Sequence, residues 1–116
     1  MPIQNINADE LRELIKMKKG ELEIIDVRQP EEYEIIHIKG SKLIPLNEIQ
    51  MRMDEIDFNK DVIFLCRSGS RSAIAAHMTA ASGRNVKNLG NGICECYKKW
   101  NGEDLEIKED MIGKYF

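Results

Sequence analysis

The chain predicts a three-layer α/β fold, a central parallel sheet with helices on both faces. Three observations carry that reading. Helical and extended patterns alternate along its 116 residues. The run Val62, Ile63, Phe64, Leu65 has the continuous hydrophobicity of a strand buried on both faces. No internal repeat or low-complexity linker interrupts the alternation, which fits one domain spanning residues 1–116.

Each element has a local reason. Asn7 is placed to cap a helix with Glu10 three residues on, and Leu11, Leu14 and Ile15 form its apolar face before Gly20 ends it. Glu21 to Val27 reads as the first strand. Pro30 opens a short helix, PEEYEII, whose glutamates lie in the first turn where the helix dipole favours them. Residues 43–45 read as a brief strand, and Asn47 to Ile56 as a helix with Ile49, Met53 and Ile56 on one stripe. After a turn at 57–61 comes the strand ending at Cys66, then a loop, then the Ala-rich helix SAIAAHMTAAS with Gly83 to stop it. A strand around Val86 to Leu89 and a helix over 93–100 follow.

Composition excludes several classes of function. Hydrophobic residues at 42% and charged residues at 32% are ordinary for a globular domain. Seventeen basic against 20 acidic residues leave a net charge of −3, which argues against a nucleic-acid surface. No stretch approaches the about 18 apolar residues of a membrane span. The start MPIQNINADEL lacks a basic-then-apolar signal, and three cysteines are an odd number, so reduced thiols in the cytoplasm are expected.

The most informative segment is VIFLCRSGSRS at 62–72. Cys66 ends the buried strand and CRSGSR feeds a helix N-terminus. Loop N–H groups can curl into an anion-binding concavity, the helix dipole adds partial positive charge, and Arg67 and Arg71 add full charges. All of these lower a thiol pKa and favour a nucleophilic thiolate. An isolated cysteine would read as a small core hydrophobe. The ordered strand, cysteine, Ser68-Gly69-Ser70 loop, arginine and helix favour a reactive one, with Gly69 supplying backbone freedom.

CRSGSRS resembles the active-site loop of the rhodanese family of single-domain sulfurtransferases. IIDVRQPEEYEIIHIKGSKLIPL at 24–46 resembles that family's other signature, and NLGNGI at 88–93 a third segment, so the resemblance runs from about Ile24 to Trp100. There are departures: Ile36 and Lys39 stand where the family usually has Gly and Pro, Asn91-Gly92 replaces Gly-Gly, and Cys96 takes the place of a Trp that appears at Trp100. The resemblance implies a rhodanese-like fold and a thiosulfate or persulfide sulfurtransferase. Cys66 would attack the outer sulfur of an anionic donor and the loop residues Arg67, Ser68, Gly69, Ser70 and Arg71 would hold the resulting persulfide. A thiol, cyanide or a protein would accept the sulfur. No metal or organic cofactor is implied, and the chain could act as a monomer or homodimer. A non-enzymatic persulfide carrier or interaction module stays open. So does a cysteine-dependent phosphatase or arsenate reductase, although those loops place five residues between Cys and Arg and this one has four.

Asp26 and Arg28 end one strand and read as structural support, a paired brace for neighbouring loops, with Glu31 or Glu32 as candidate partner for Arg28. The resemblance makes His37 a turn brace, and His77 lies more than a turn beyond the loop. Ile93, Cys96, Tyr97 and Trp100 share one helical stripe, which makes Cys96 core and turns Cys94 about 160° away. A metal pair is disfavoured, and a resolving role for Cys94 stays open. The extension 103–116, with Leu105, Ile107, Met111, Ile112, Tyr115 and Phe116, is too apolar for a solvated tail and is expected to pack on the domain or on a partner subunit.

Overall fold

The computed structural model describes residues 3–18 and 20–116. Met1 and Pro2, on which the reading of the N-terminus partly rests, lie outside them. In chain order the elements are β1 (Gln4–Ile6), α1 (Ala8–Met17), β2 (Leu22–Asp26), α2 (Pro30–Ile35), β3 (Ile36–Ile38) and β4 (Lys42–Leu43). Two 3-10 turns at Leu46–Glu48 and Met53–Glu55 lead to β5 (Asp61–Leu65), α3 (Ser70–Ala80), β6 (Val86–Leu89), α4 (Gly92–Lys99), β7 (Leu105–Ile107) and α5 (Ile112–Tyr115).

Five strands pair in the order β1-β6-β5-β2-β4, every pair parallel, so the predicted α/β class and parallel sheet hold. Because side chains alternate along a strand, β5 feeds both faces. Ile63 and Leu65 pack with Leu11, Leu89, Ile93, Cys96 and Trp100 beneath α1 and α4. Val62 and Phe64 pack with Ile25, Ile49, Ala75, Ala76 and Ala80 beneath α3. The alanines let α3 lie close on the sheet. On the opposite face the Ala8 N–H donates to Glu95 at 2.7 Å and the Trp100 indole donates to the Ala8 carbonyl at 3.3 Å, which locks α1 to α4.

Three local readings differ from the structure, and a fourth had left two alternatives open. The helix expected over 47–56 is two 3-10 turns, although Ile49 and Ile56 are still buried. This segment is anchored at both ends, the Leu46 N–H on the Val27 carbonyl and the Asp57 N–H on Glu23. A 3-10 path rises about 2.0 Å per residue against about 1.5 Å for an α-helix, so it covers more ground with the same residues. The brief strand falls at 42–43 instead of 43–45. Two strands had no periodic signal: β1, a three-residue edge strand, and β3, which continues directly from α2. The fourth concerns the C-terminal extension, where β7 pairs antiparallel with β3 and brings Leu105 opposite Ile38 and Ile107 opposite Ile36. It packs on its own domain.

Trp100 is among the largest buried side chains, so Trp100→Ala should destabilise the fold by about 3–5 kcal/mol. Urea unfolding measures this, and a loss below 1 kcal/mol would mean that α4 is not a core element.

Candidate active site

Cys66 sits at the carboxyl end of β5, where parallel sheets present their ligands, and is 1% exposed. The chain then turns through Arg67, Ser68 and Gly69 into α3. Gly69 caps that helix with φ +102°, and a Cβ there would overlap the Gly90 carbonyl. Gly92 meets the same loop from the other side, since its Cβ would overlap the Arg67 carbonyl. The first N–H groups of α4 complete the junction: Ile93 donates to the Cys66 carbonyl at 2.9 Å and Cys94 to that of Arg67 at 3.1 Å. Two loops are thus pressed together where only glycine fits.

The sulfur is held by hydrogen bonds. The Gly69 N–H lies 3.0 Å from Sγ and the Ser72 hydroxyl 3.5 Å. Burial pushes the Cys66 thiol up, but the Ser72 hydroxyl and the N–H groups of Ser72, Gly69 and Ser68 act more strongly together, and it lies below the ordinary thiol value. Asn88, buried on β6, donates to the Gly69 carbonyl at 3.3 Å and helps fix the loop.

The arginines behave differently from the sequence-based expectation. Among the described residues neither hydrogen-bonds the sulfur. Arg71 forms a two-pronged ion pair with Glu32, at 2.7 and 3.0 Å. Arg67 donates to the Tyr115 carbonyl at 3.1 Å, and its guanidinium lies over the rings of Tyr115 and Phe116. Ser68 and Ser70 are exposed at the loop surface.

Asp26 and Arg28 are fully buried and paired, Nε to Oδ1 at 2.9 Å and Nη2 to Oδ2 at 2.7 Å. Arg28 also reaches the carbonyls of Ile36 and Glu32 and the Tyr115 hydroxyl. The Glu32 carboxylate, expected as a partner for Arg28, goes to Arg71 instead, because Asp26 already occupies the guanidinium edge. His37 is stacked on Tyr33 with ring centroids 4.0 Å apart, its Nδ1 2.9 Å from the Tyr33 carbonyl. His77 is exposed on α3. Cys96 is buried, and burial first, then Glu95, pushes its thiol up to about 12. Cys94 borders a surface hollow with Asn91, Glu95, Lys98 and Lys99, and its N–H is bonded to the Arg67 carbonyl. Among the described residues no cluster of three His, Cys, Asp or Glu could hold a metal ion, and no helix is long and apolar enough to cross a membrane.

The sequence model of the Rhodanese-like domain matches residues 7–101. The chain belongs to the rhodanese-like family. It is similar to the Putative sulfurtransferase YtwF of Bacillus subtilis, 32% identical over 103 residues that cover 89% of this chain and 95% of that protein. It is also similar to the Putative sulfur carrier protein YrkF of the same organism, 39% identical over 83 residues that cover 71% of this chain and 43% of that one. Its fold is similar to that of a rhodanese-related protein from Thermoplasma volcanium, with TM-score 0.78 and 28% identity, covering 90% and 99% of the two chains. The chain spans 42–62% of the length of several curated relatives it matches.

Three residues have roles at this rhodanese-like site that the sequence reading did not assign to them. Ser72 carried a usable signal, a hydroxyl in the first turn of a helix that follows a nucleophile. Glu32 and Tyr115 carried none, since they reach the loop only through tertiary contacts.

Ser72→Ala should shift the inflection of Cys66 alkylation rate to higher pH, because a side-chain donor to the thiolate is lost. An unchanged inflection would leave the backbone N–H groups as the sole cause. Glu32 gives an acid-stability prediction. Burial raises its pKa, but Arg71, the Gln29 N–H and Tyr115 outweigh this and hold it at about 2. The unfolded chain protonates such a group near 4.5, so its stabilising contribution is full above that pH and is lost as the pH falls towards 2. Glu32→Gln should therefore lose less stability than wild type between pH 5 and 3 in urea titrations. Parallel losses would show that Glu32 is not a depressed carboxylate.

Proposed function

We propose that this chain moves a sulfane sulfur from thiosulfate or a persulfide to a thiophilic acceptor through a persulfide on Cys66. The observation that carries the reading is a buried sulfur at a strand end with the Gly69 N–H and the Ser72 hydroxyl within hydrogen-bond reach of it. The thiolate attacks the outer sulfur of thiosulfate, the S–S bond of the donor breaks, and sulfite leaves with the electron pair. The terminal sulfur anion then occupies the cradle of Ser68, Gly69 and Ser72 N–H groups, where charge-assisted bonds stabilise it. An acceptor thiolate or cyanide attacks that terminal sulfur and returns Cys66 as thiolate. Arg67, Ser70 and Arg71 frame the loop. Asp26 and Arg28 support it from below. All three cysteines are unpaired, which fits a reducing, cytoplasmic setting.

A second reading is favoured by the sulfur carrier YrkF among the relatives: the Cys66 persulfide is handed to a partner protein and little turnover occurs with small acceptors. Phosphatase chemistry is disfavoured by the short loop, which builds a cradle around one sulfur atom.

Incubation with thiosulfate should add one sulfur atom to Cys66 by mass spectrometry. Cys66→Ser should abolish that adduct and transfer to cyanide, and turnover of an aryl phosphate should be negligible. Sulfur transfer that persists in Cys66→Ser, or phosphatase activity comparable with it in the wild type, would overturn the assignment. A stable adduct without turnover would select the carrier reading.

A further inference from the structure

Both ends of the Cys66 loop are tied to one turn of the C-terminal extension. At the leading end, Arg67 donates to the Tyr115 carbonyl and its guanidinium carbon lies 5.4 Å from the centroids of the Tyr115 and Phe116 rings. The Phe116 ring is itself stacked on Tyr97 of α4, centroids 4.9 Å apart and planes 18° from parallel. At the trailing end, Arg71 is neutralised by Glu32, whose Oε1 also accepts from the Tyr115 hydroxyl at 2.8 Å. The same hydroxyl accepts from Arg28 at 3.1 Å. Tyr115 thus joins the two loop arginines to the buried brace.

The consequence is electrostatic. A loop written CRSGSR carries two full positive charges, the complement of a small dianion. In the fold one of them is spent on a carboxylate and the other rests on ring faces whose quadrupoles favour a cation there. What remains at the sulfur is a set of backbone N–H groups and one hydroxyl, which suits a single negative charge. Two aromatic rings beside the loop add apolar surface that an inorganic ion cannot use.

We infer that Tyr115 and Phe116 determine donor selectivity by holding Arg67 on the C-terminal extension, so that the site favours a singly charged organic persulfide over a small inorganic dianion. This rests on the sulfurtransferase reading above. The transfer step balances without a further reactant: the Cys66 thiolate attacks the outer sulfur of R–S–SH, the S–S bond of the donor breaks, the proton stays on the transferred sulfur, and R–S⁻ leaves with the electron pair. Tyr115 and Phe116 act through Arg67 and are positioning residues.

The charge presented to an incoming reagent is measured without any sulfur transfer. Iodoacetate and iodoacetamide alkylate the same thiolate, one as an anion and one neutral, so the ratio of their rates on Cys66 cancels the thiolate fraction. Phe116→Leu keeps apolar volume and removes one ring face, and should raise the iodoacetate to iodoacetamide ratio about two- to five-fold at low salt. Tyr97→Leu, which unseats the Phe116 ring from behind, should raise it in the same direction and serves if Phe116→Leu does not fold. Adding Arg67→Ala to either variant should cancel the rise. In donor assays, kcat/KM for thiosulfate relative to glutathione persulfide should increase in the same variants. An alkylation ratio unchanged in both leucine variants, or a rise that survives Arg67→Ala, would overturn the inference. If the alkylation ratios behave as stated but the wild type takes sulfur from neither donor, the charge arrangement stands and the sulfurtransferase reading fails.

Discussion

A guanidinium shut away from water must place its N–H groups on protein acceptors, and Arg28 does so across four segments. It pairs with Asp26 at the end of β2, reaches the carbonyls of Glu32 in α2 and Ile36 in β3, and donates to the hydroxyl of Tyr115 in α5. Burial disfavours its charge and Asp26 restores it, leaving the guanidinium firmly protonated. Breaking such a pair from one side leaves an uncompensated buried charge, at a cost of about 3–5 kcal/mol. That penalty is what makes the arrangement of α2, β3 and α5 around the strand ends a single choice.

Upon that brace stands the cradle. Its economy is that no full charge touches the sulfur. Ser68, Gly69 and Ser72 supply N–H groups already oriented by the start of α3, and such preoriented dipoles stabilise an anion without reorganising as charge arrives. The geometry depends on close backbone contact between the Cys66 loop and the turn before α4, which Gly69 and Gly92 permit. A side chain at either position would push the loop off the helix and scatter the donors.

The ends of the loop tell a different story from its middle. Arg67 and Arg71 stand close to Cys66 in the sequence, yet their side chains are claimed by groups 48 and 39 residues away, respectively. Long, flexible cations go to the best available acceptor. Glu32 offers Arg71 a two-pronged carboxylate, and the C-terminal rings offer Arg67 a stacked face with a carbonyl at its edge. Recognition of the donor is thereby linked to a segment outside the matched region 7–101.

Most of the fold and the heart of the site were legible in the sequence because they are written locally. The apolar run 62–65, the capping pair Asn7 and Glu10, and the stripe of Ile93, Cys96 and Trp100 each state their own conformation, and the structure follows them. Cys66 before a glycine-bearing loop and an Ala-rich helix places a thiol against helical N–H groups by chain geometry alone. The stretch 47–56 misled because helical spacing of Ile49, Met53 and Ile56 is also met by two short turns when both ends are anchored elsewhere. Strands β3 and β7 were unreadable because each is three residues long and exists only as the other's partner. Chain-local chemistry thus determined the sheet, the nucleophile's setting and the helices that flank it. Tertiary structure alone decided where the loop charges go, because the partners of Arg67 and Arg71 reach across the fold, which no spacing along the chain encodes, whereas the Asp26–Arg28 pair was already written two residues apart.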